Sequence, residues 1–127
     1  MIHSVRAAHY GSGMGTVTQV FCGVPVTDRA AGLEWFATFF GRPADEVVGT
    51  EALWQVGETA WVFVDEHPER AGGALITLGV EGLDDILGRL ADNGVSHEPV
   101  ETYENGVRHV VVVDPDGNSL SLAEAPD

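Results

Sequence analysis

The sequence predicts an α+β chain made of two tandem strand–helix–three-strand (βαβββ) units. Three observations predict it. Apolar spacing switches from alternation to helical periodicity and back to alternation, and it does so twice in the same order. A polar stretch, "DEHPERAGG", separates the two passes. An offset of 54 places Val26 on Val80, Leu33 on Leu87 and Phe36 on Leu90, the mark of an internal duplication. The expected units are residues 17–65 and 74–127, joined by a linker over 66–73. Residues 1–16 are expected to be a leader or N-terminal extension, with Met14 an alternative start.

The first unit opens on "VTQVFCGVPV", which alternates with Val20, Cys22, Val24 and Val26 on one face. That is a half-buried strand, and Pro25 marks an edge or a strand end. Asp28 is suited to cap the helix "RAAGLEWFATFF", where Leu33, Phe36, Ala37 and Phe40 recur at helical spacing. Gly41 and Pro43 end it. Short strands follow over residues 47–48, 52–56 and 61–64, the last two joined by a turn at Gly57-Glu58.

The second unit repeats the order. "ALITLGV" is a strand, "LDDILGRLADNGV" a helix closed by Asn93-Gly94, and strands are expected near residues 97–103, 107–113 and 119–124. Asp114-Pro115-Asp116-Gly117 is a tight turn: Pro115 presets φ at its second position, and Gly117 accepts the positive φ that returns the chain to the sheet.

Bulk properties exclude several classes. A chain of 127 residues with 44% hydrophobic content supports one domain with a core. Six Lys and Arg against 20 Asp and Glu give a net charge of −14, which repels phosphate backbones and argues against nucleic-acid binding. The single cysteine, Cys22, excludes an internal disulfide and a Cys-based zinc site. No apolar run approaches the roughly 18 residues of a membrane span, and no signal-like apolar segment opens the chain. No membrane partner and a cytoplasmic location are therefore expected.

The order of elements, with "VPVTD" before an aromatic helix and "DPDGN" before the last strand, resembles the vicinal oxygen chelate (VOC) superfamily. That group includes glyoxalases, extradiol dioxygenases and bleomycin-resistance proteins. The resemblance runs from about Val17 to Glu124 and implies two βαβββ modules. Their mixed sheets would curl around a cavity, with helices on the outer faces. In metal-using members, strands one, four, five and eight supply the ligands. The matching positions here are Phe21, one of Trp61, Val62 or Phe63, Leu75, and Ser121. Phenyl and alkyl groups have no lone pair, and a neutral hydroxyl is a poor substitute for a carboxylate. Neither metal nor cofactor is expected.

If Phe21 faces the cavity, strand alternation turns Gln19, Leu75, Thr77, Ser119 and Ser121 the same way. Trp54, Trp61, Phe63 and Tyr103 could stack on a planar guest or simply fill a core. His109 is the other candidate contact. His97 and His109, with Glu98, Glu101 and Glu104 near in sequence, could form a relocated metal site, though no short His-to-His spacing supports one. Arg108 is read as a surface ion pair before an anion contact. No catalytic residue is assigned. The expected function is metal-independent binding of a small organic molecule, an aromatic or cationic antibiotic or metabolite, by a homodimeric protein acting in antibiotic resistance. The alternative is a VOC-type lyase, isomerase or dioxygenase with a displaced metal or metal-free catalysis.

Overall fold

The computed structural model describes residues 15–127, so most of the expected leader, Met14 included, lies outside the described residues. Strand β1 (Val20–Val26) leads into helix α1 (Arg29–Phe40), followed by β2 (Glu46–Val48), β3 (Glu51–Gly57) and β4 (Ala60–Glu66). A single 3-10 turn over Pro68–Arg70 carries the chain to β5 (Leu75–Gly79), α2 (Leu83–Asp92), β6 (Glu101–Thr102), β7 (Arg108–Val113) and β8 (Ser119–Glu124). These make two four-stranded sheets, ordered β1-β4-β3-β2 and β5-β8-β7-β6. In each the first and last strands pair in parallel and the others antiparallel, so both are mixed sheets of the same topology.

Local chemistry sets the ends of α1. Asp28 is extended and accepts the Ala31 N–H at 2.9 Å, and Gly41 closes the helix at φ 78°. Helix α2 starts differently. Gly82 offers no side chain, so the carboxylate of Glu124, at the end of β8, accepts the Leu83 N–H at 2.8 Å. The expected strand over 97–103 shortens to β6, Glu101–Thr102. Glu98 N–H still reaches Val111 O at 2.9 Å, but Pro99 has no N–H and interrupts the ladder.

Alternation sorts the strand residues. Val24, Val26, Trp54, Val62 and Val64 of the first sheet, and Val110, Val112, Leu120 and Leu122 of the second, are buried. They share one core with Phe36 and Phe39 of α1 and with Leu83, Leu87 and Leu90 of α2. Burying each large apolar side chain contributes about 1.5–3 kcal/mol, so this common core ties the modules together. Arg89 of α2 reinforces it by donating to Thr38 O at 2.6 Å and Phe39 O at 3.1 Å, at the C-terminus of α1 where the helical ladder ends.

The two quoted motifs lock into each other. Asn118, fully buried, donates from Nδ2 to Pro25 O at 2.8 Å and to Asp114 Oδ2 at 2.8 Å, and accepts the Ala74 N–H at 2.9 Å. Asp116 accepts from Thr27 Oγ at 2.6 Å and Thr27 N at 3.1 Å. The final turn thus fastens the end of β1 and the start of β5, bringing the leading strands of the two modules to the same place.

Candidate functional site

The face of each sheet turned away from the helices carries the odd-numbered residues. In the first sheet, Phe21 pairs with Trp61 and Gly23 with Phe63. In the second, Leu75 pairs with Ser119 and Thr77 with Ser121. Phe21 and Leu75 are 52% and 85% exposed, the exposure expected of an open apolar surface and not of a packed interior. The Phe21 and Trp61 rings are near-parallel, with centroids 6.3 Å apart. Gly23 leaves room for the Phe63 ring, which leans across β1: a Cβ on it would stand 2.5 Å from that ring. Ser121 is buried beneath this face, while Thr77 is exposed.

Register settles the fourth-strand position that the sequence leaves open. Ser121 lies opposite Thr77, two residues beyond the counterpart of Phe21. The equivalent place in the first sheet is opposite Gly23, and it holds Phe63. By this register, the positions that the resemblance assigns to metal ligands hold Phe21, Phe63, Leu75 and Ser121. Two phenyl rings, an isobutyl group and one hydroxyl do not make a donor set for a divalent ion.

Trp54 does not join this face. It is 1% exposed, packs against Phe36 and Phe40, and donates its indole N–H to Arg42 O at 2.9 Å. Its even position in β3 turns it to the helix. Gln19 precedes β1 and is exposed. On the same face, toward the β6 edge of the second sheet, Tyr103 stacks on His109 with centroids 5.7 Å apart. His109 Nδ1 lies 3.8 Å from Glu101 Oε1 and is buried without a hydrogen bond. His97 instead places Nδ1 2.7 Å from Glu98 O. Among the described residues no three His, Cys, Asp or Glu side chains gather as a metal site. Arg108 bonds Asp84 at 3.0 Å and Glu124 at 2.7 Å, so it is engaged at the surface. The Leu83 N–H and then Arg108 hold the Glu124 carboxyl below its ordinary range.

A cavity of about 560 Å³ opens where the face meets the linker. Gly23, Pro25, Phe63 and Ala74 give it apolar walls, and Asp65, His67 and Arg70 give it a polar rim. In the sequence these three polar residues belong to a polar linker. The signal that could have found them is the Pro68 turn between two strands already placed on one face, which folds the linker back over their ends. A second cavity of about 480 Å³ separates the modules at their other end, between Phe39, Arg42, Thr77, Gly79 and Arg89.

No family model and no curated protein matches the chain. Solved structures do. A glyoxalase / bleomycin resistance protein from Catenulispora acidiphila is 40% identical over 87% of this chain and 100% of its own, with a TM-score of 0.80. The chain belongs to the VOC superfamily. Oxidase ChaP-H1 is 25% identical, covering 87% of this VOC chain and 97% of its own, with a TM-score of 0.69. Lactoylglutathione lyase from Agrobacterium tumefaciens shares the VOC fold at 17% identity, over 83% of this chain and 91% of its own, with a TM-score of 0.67. The described residues include no helix long and apolar enough to cross a membrane.

Proposed function

We propose that this VOC protein binds a small aromatic organic molecule on its open face without a metal, and acts by sequestration of an antibiotic or metabolite. The observation that carries the reading is the set Phe21, Phe63, Leu75 and Ser121 at the places where metal-using relatives hold ligands. A near-parallel pair of rings with Phe21 exposed, a deep hydroxyl and an adjoining cavity supply contact area and one neutral hydrogen bond, the usual make-up of a small-molecule site. The 40%-identical relative described as a glyoxalase / bleomycin resistance protein supports the same reading. Equilibrium dialysis and thermal-shift screening against a broad panel of aromatic compounds test it. Saturable binding weakened at least tenfold by Phe21→Ala is expected, and a flat response across the panel refutes it.

A second reading, catalysis, rests on His109. Its unpartnered Nδ1 beside Glu101 is a base held in place without a partner, and structures named as an oxidase and a lyase share the fold. Stoichiometric metal in protein purified without a chelating tag would favour that reading. We also propose a homodimer, in which a second copy meets the exposed apolar sheet edge at Val47 and Val48. Light scattering tests this.

A further inference from the structure

The chain has no lysine, and five of its six arginines, Arg29, Arg42, Arg70, Arg89 and Arg108, fall among the described residues. Four are engaged. Arg29 donates to Thr50 O at 2.9 Å. Arg42 binds Asp45 at 2.9 Å and Gln55 O at 2.7 Å. Arg89 caps α1, and Arg108 bridges Asp84 and Glu124. Arg70 is the exception: among the described residues its guanidinium has neither a hydrogen-bond nor an ion-pair partner. Residues 1–14 contain no Asp or Glu to supply one. In a chain with 20 acidic side chains, the unmatched guanidinium stands on the rim of the 560 Å³ cavity.

The acids nearest in sequence are turned elsewhere. Asp65 Oδ1 accepts the Glu66 N–H at 2.9 Å, while Asp65 Oδ2 and Glu69 Oε2 face His67 at 3.6 and 3.9 Å. The cavity that Arg70 lines also has Phe63, Pro25 and Ala74 as walls, and Gly23 and Gly73 add no side-chain bulk. A planar fork of N–H donors and an aromatic ring lining one cavity fit a flat molecule carrying one carboxylate. Asp65 at the rim and the net charge of −14 disfavour a dianion such as a phosphate monoester.

We infer that this cavity takes an aromatic monocarboxylate, its carboxylate held by Arg70 and its ring laid on Phe63. This rests on the binding reading above and names the charge of its ligand. Net charge alone suggests a cationic guest, but net charge governs approach from solution, whereas an unpaired donor set governs what is held.

The test is calorimetric titration with 1-naphthoate, 1-naphthamide and 1-naphthylmethylammonium. Wild type is expected to bind the acid about 10- to 100-fold more tightly than the amide, the range for hydrogen bonds to a charged group. Arg70→Gln should abolish that preference and leave amide binding unchanged; Arg70→Lys should restore only part of it. Arg70 is exposed on a turn, so unchanged melting temperatures are expected and serve as the folding control. Equal affinity for acid and amide, tighter binding of the ammonium, or no effect of Arg70→Gln overturns the inference. Amide-shift mapping separates the two readings. Perturbations at Phe21 and Leu75 that bypass Arg70 keep the binding protein and discard the anion site. If none of the three probes binds, this inference falls, and the broader aromatic panel decides the binding reading independently.

Discussion

Asn118→Ala removes the three hydrogen bonds by which the last turn holds both leading strands. The substitution strands the Ala74 N–H, the Pro25 carbonyl and one oxygen of the buried Asp114 carboxylate. Each buried group left unpaired costs about 1–3 kcal/mol. Water reaching part of the space holds the sum nearer the low end, so the expected loss is about 3–5 kcal/mol. That is a large share of the roughly 5–15 kcal/mol that stabilises a domain. At about 4 °C per kcal/mol for a chain of this size, the melting temperature should drop by roughly 12–20 °C. Urea unfolding measures it directly, with a lower midpoint and an unchanged slope. Asn118→Asp supplies the internal check. It sets a second carboxylate against Asp114, so its deficit should be larger at pH 7 and should shrink on acidification, when one proton can bridge the pair. An Asn118→Ala loss below about 1 kcal/mol, or an Asn118→Asp deficit indifferent to pH, would refute the claim that this side chain joins the modules.

Gly72→Ala should be among the most damaging single changes in the linker. At φ 91° an added Cβ is disfavoured, and it would lie 2.5 Å from Asp116 O, so a loss of about 2–4 kcal/mol is expected in chemical denaturation. Gly23→Ala should disturb the site more than the fold: the Phe63 ring must swing off β1, and ligand affinity should fall at least fivefold with a modest change in melting temperature. Glu124 is held below its unfolded value of 4.5, first by the Leu83 N–H and then by Arg108. Its contribution is therefore present above about that pH and lost as pH falls through the lower, folded value. Glu124→Gln should be less stable than wild type at pH 7, with the gap closing below pH 4.5, as read by urea midpoints across pH. The combined variant Phe21→His, Phe63→Glu, Leu75→His and Ser121→Glu should gain stoichiometric zinc or nickel, measured by elemental analysis, whereas wild type should not.

Much of the architecture was legible because it is periodic. Alternation around Val24 and Val26, helical spacing through Phe36, and the Asp28 and Gly41 signals are local features whose physics does not depend on distant partners. The strand around residues 97–103 was over-extended because Val100 and Tyr103 suit a sheet, while the break at Pro99 depends on which of its neighbours must donate to β7. Trp54 stays open in the sequence between ligand contact and core, because aromatic character is visible there but the face of a strand is visible only once register is known. The choice among Trp61, Val62 and Phe63 was undecidable for the same reason, and one pairing, Gly23 with Phe63, decides it.

The rim residues were missed for a deeper reason. A polar linker such as "DEHPERAGG" reads as solvated because its side chains have no periodicity to assign them a face. What assigns them one is a long-range constraint: Asn118 holds Pro25 and Ala74 together, and Gly72 lets the backbone pass against Asp116. With both ends pinned, the short turn at Pro68–Arg70 has little choice of path, and its charges fall at the mouth of the cavity. The "DPDGN" motif and the binding rim are thus mechanically one unit. Loosening the staple should therefore weaken ligand binding even though Asn118 touches no ligand. Asn118→Ala, assayed where it remains folded, should lose affinity together with Arg70→Gln, and the combined variant should lose less than the sum of the two. Strict additivity would show the rim and the staple to be independent.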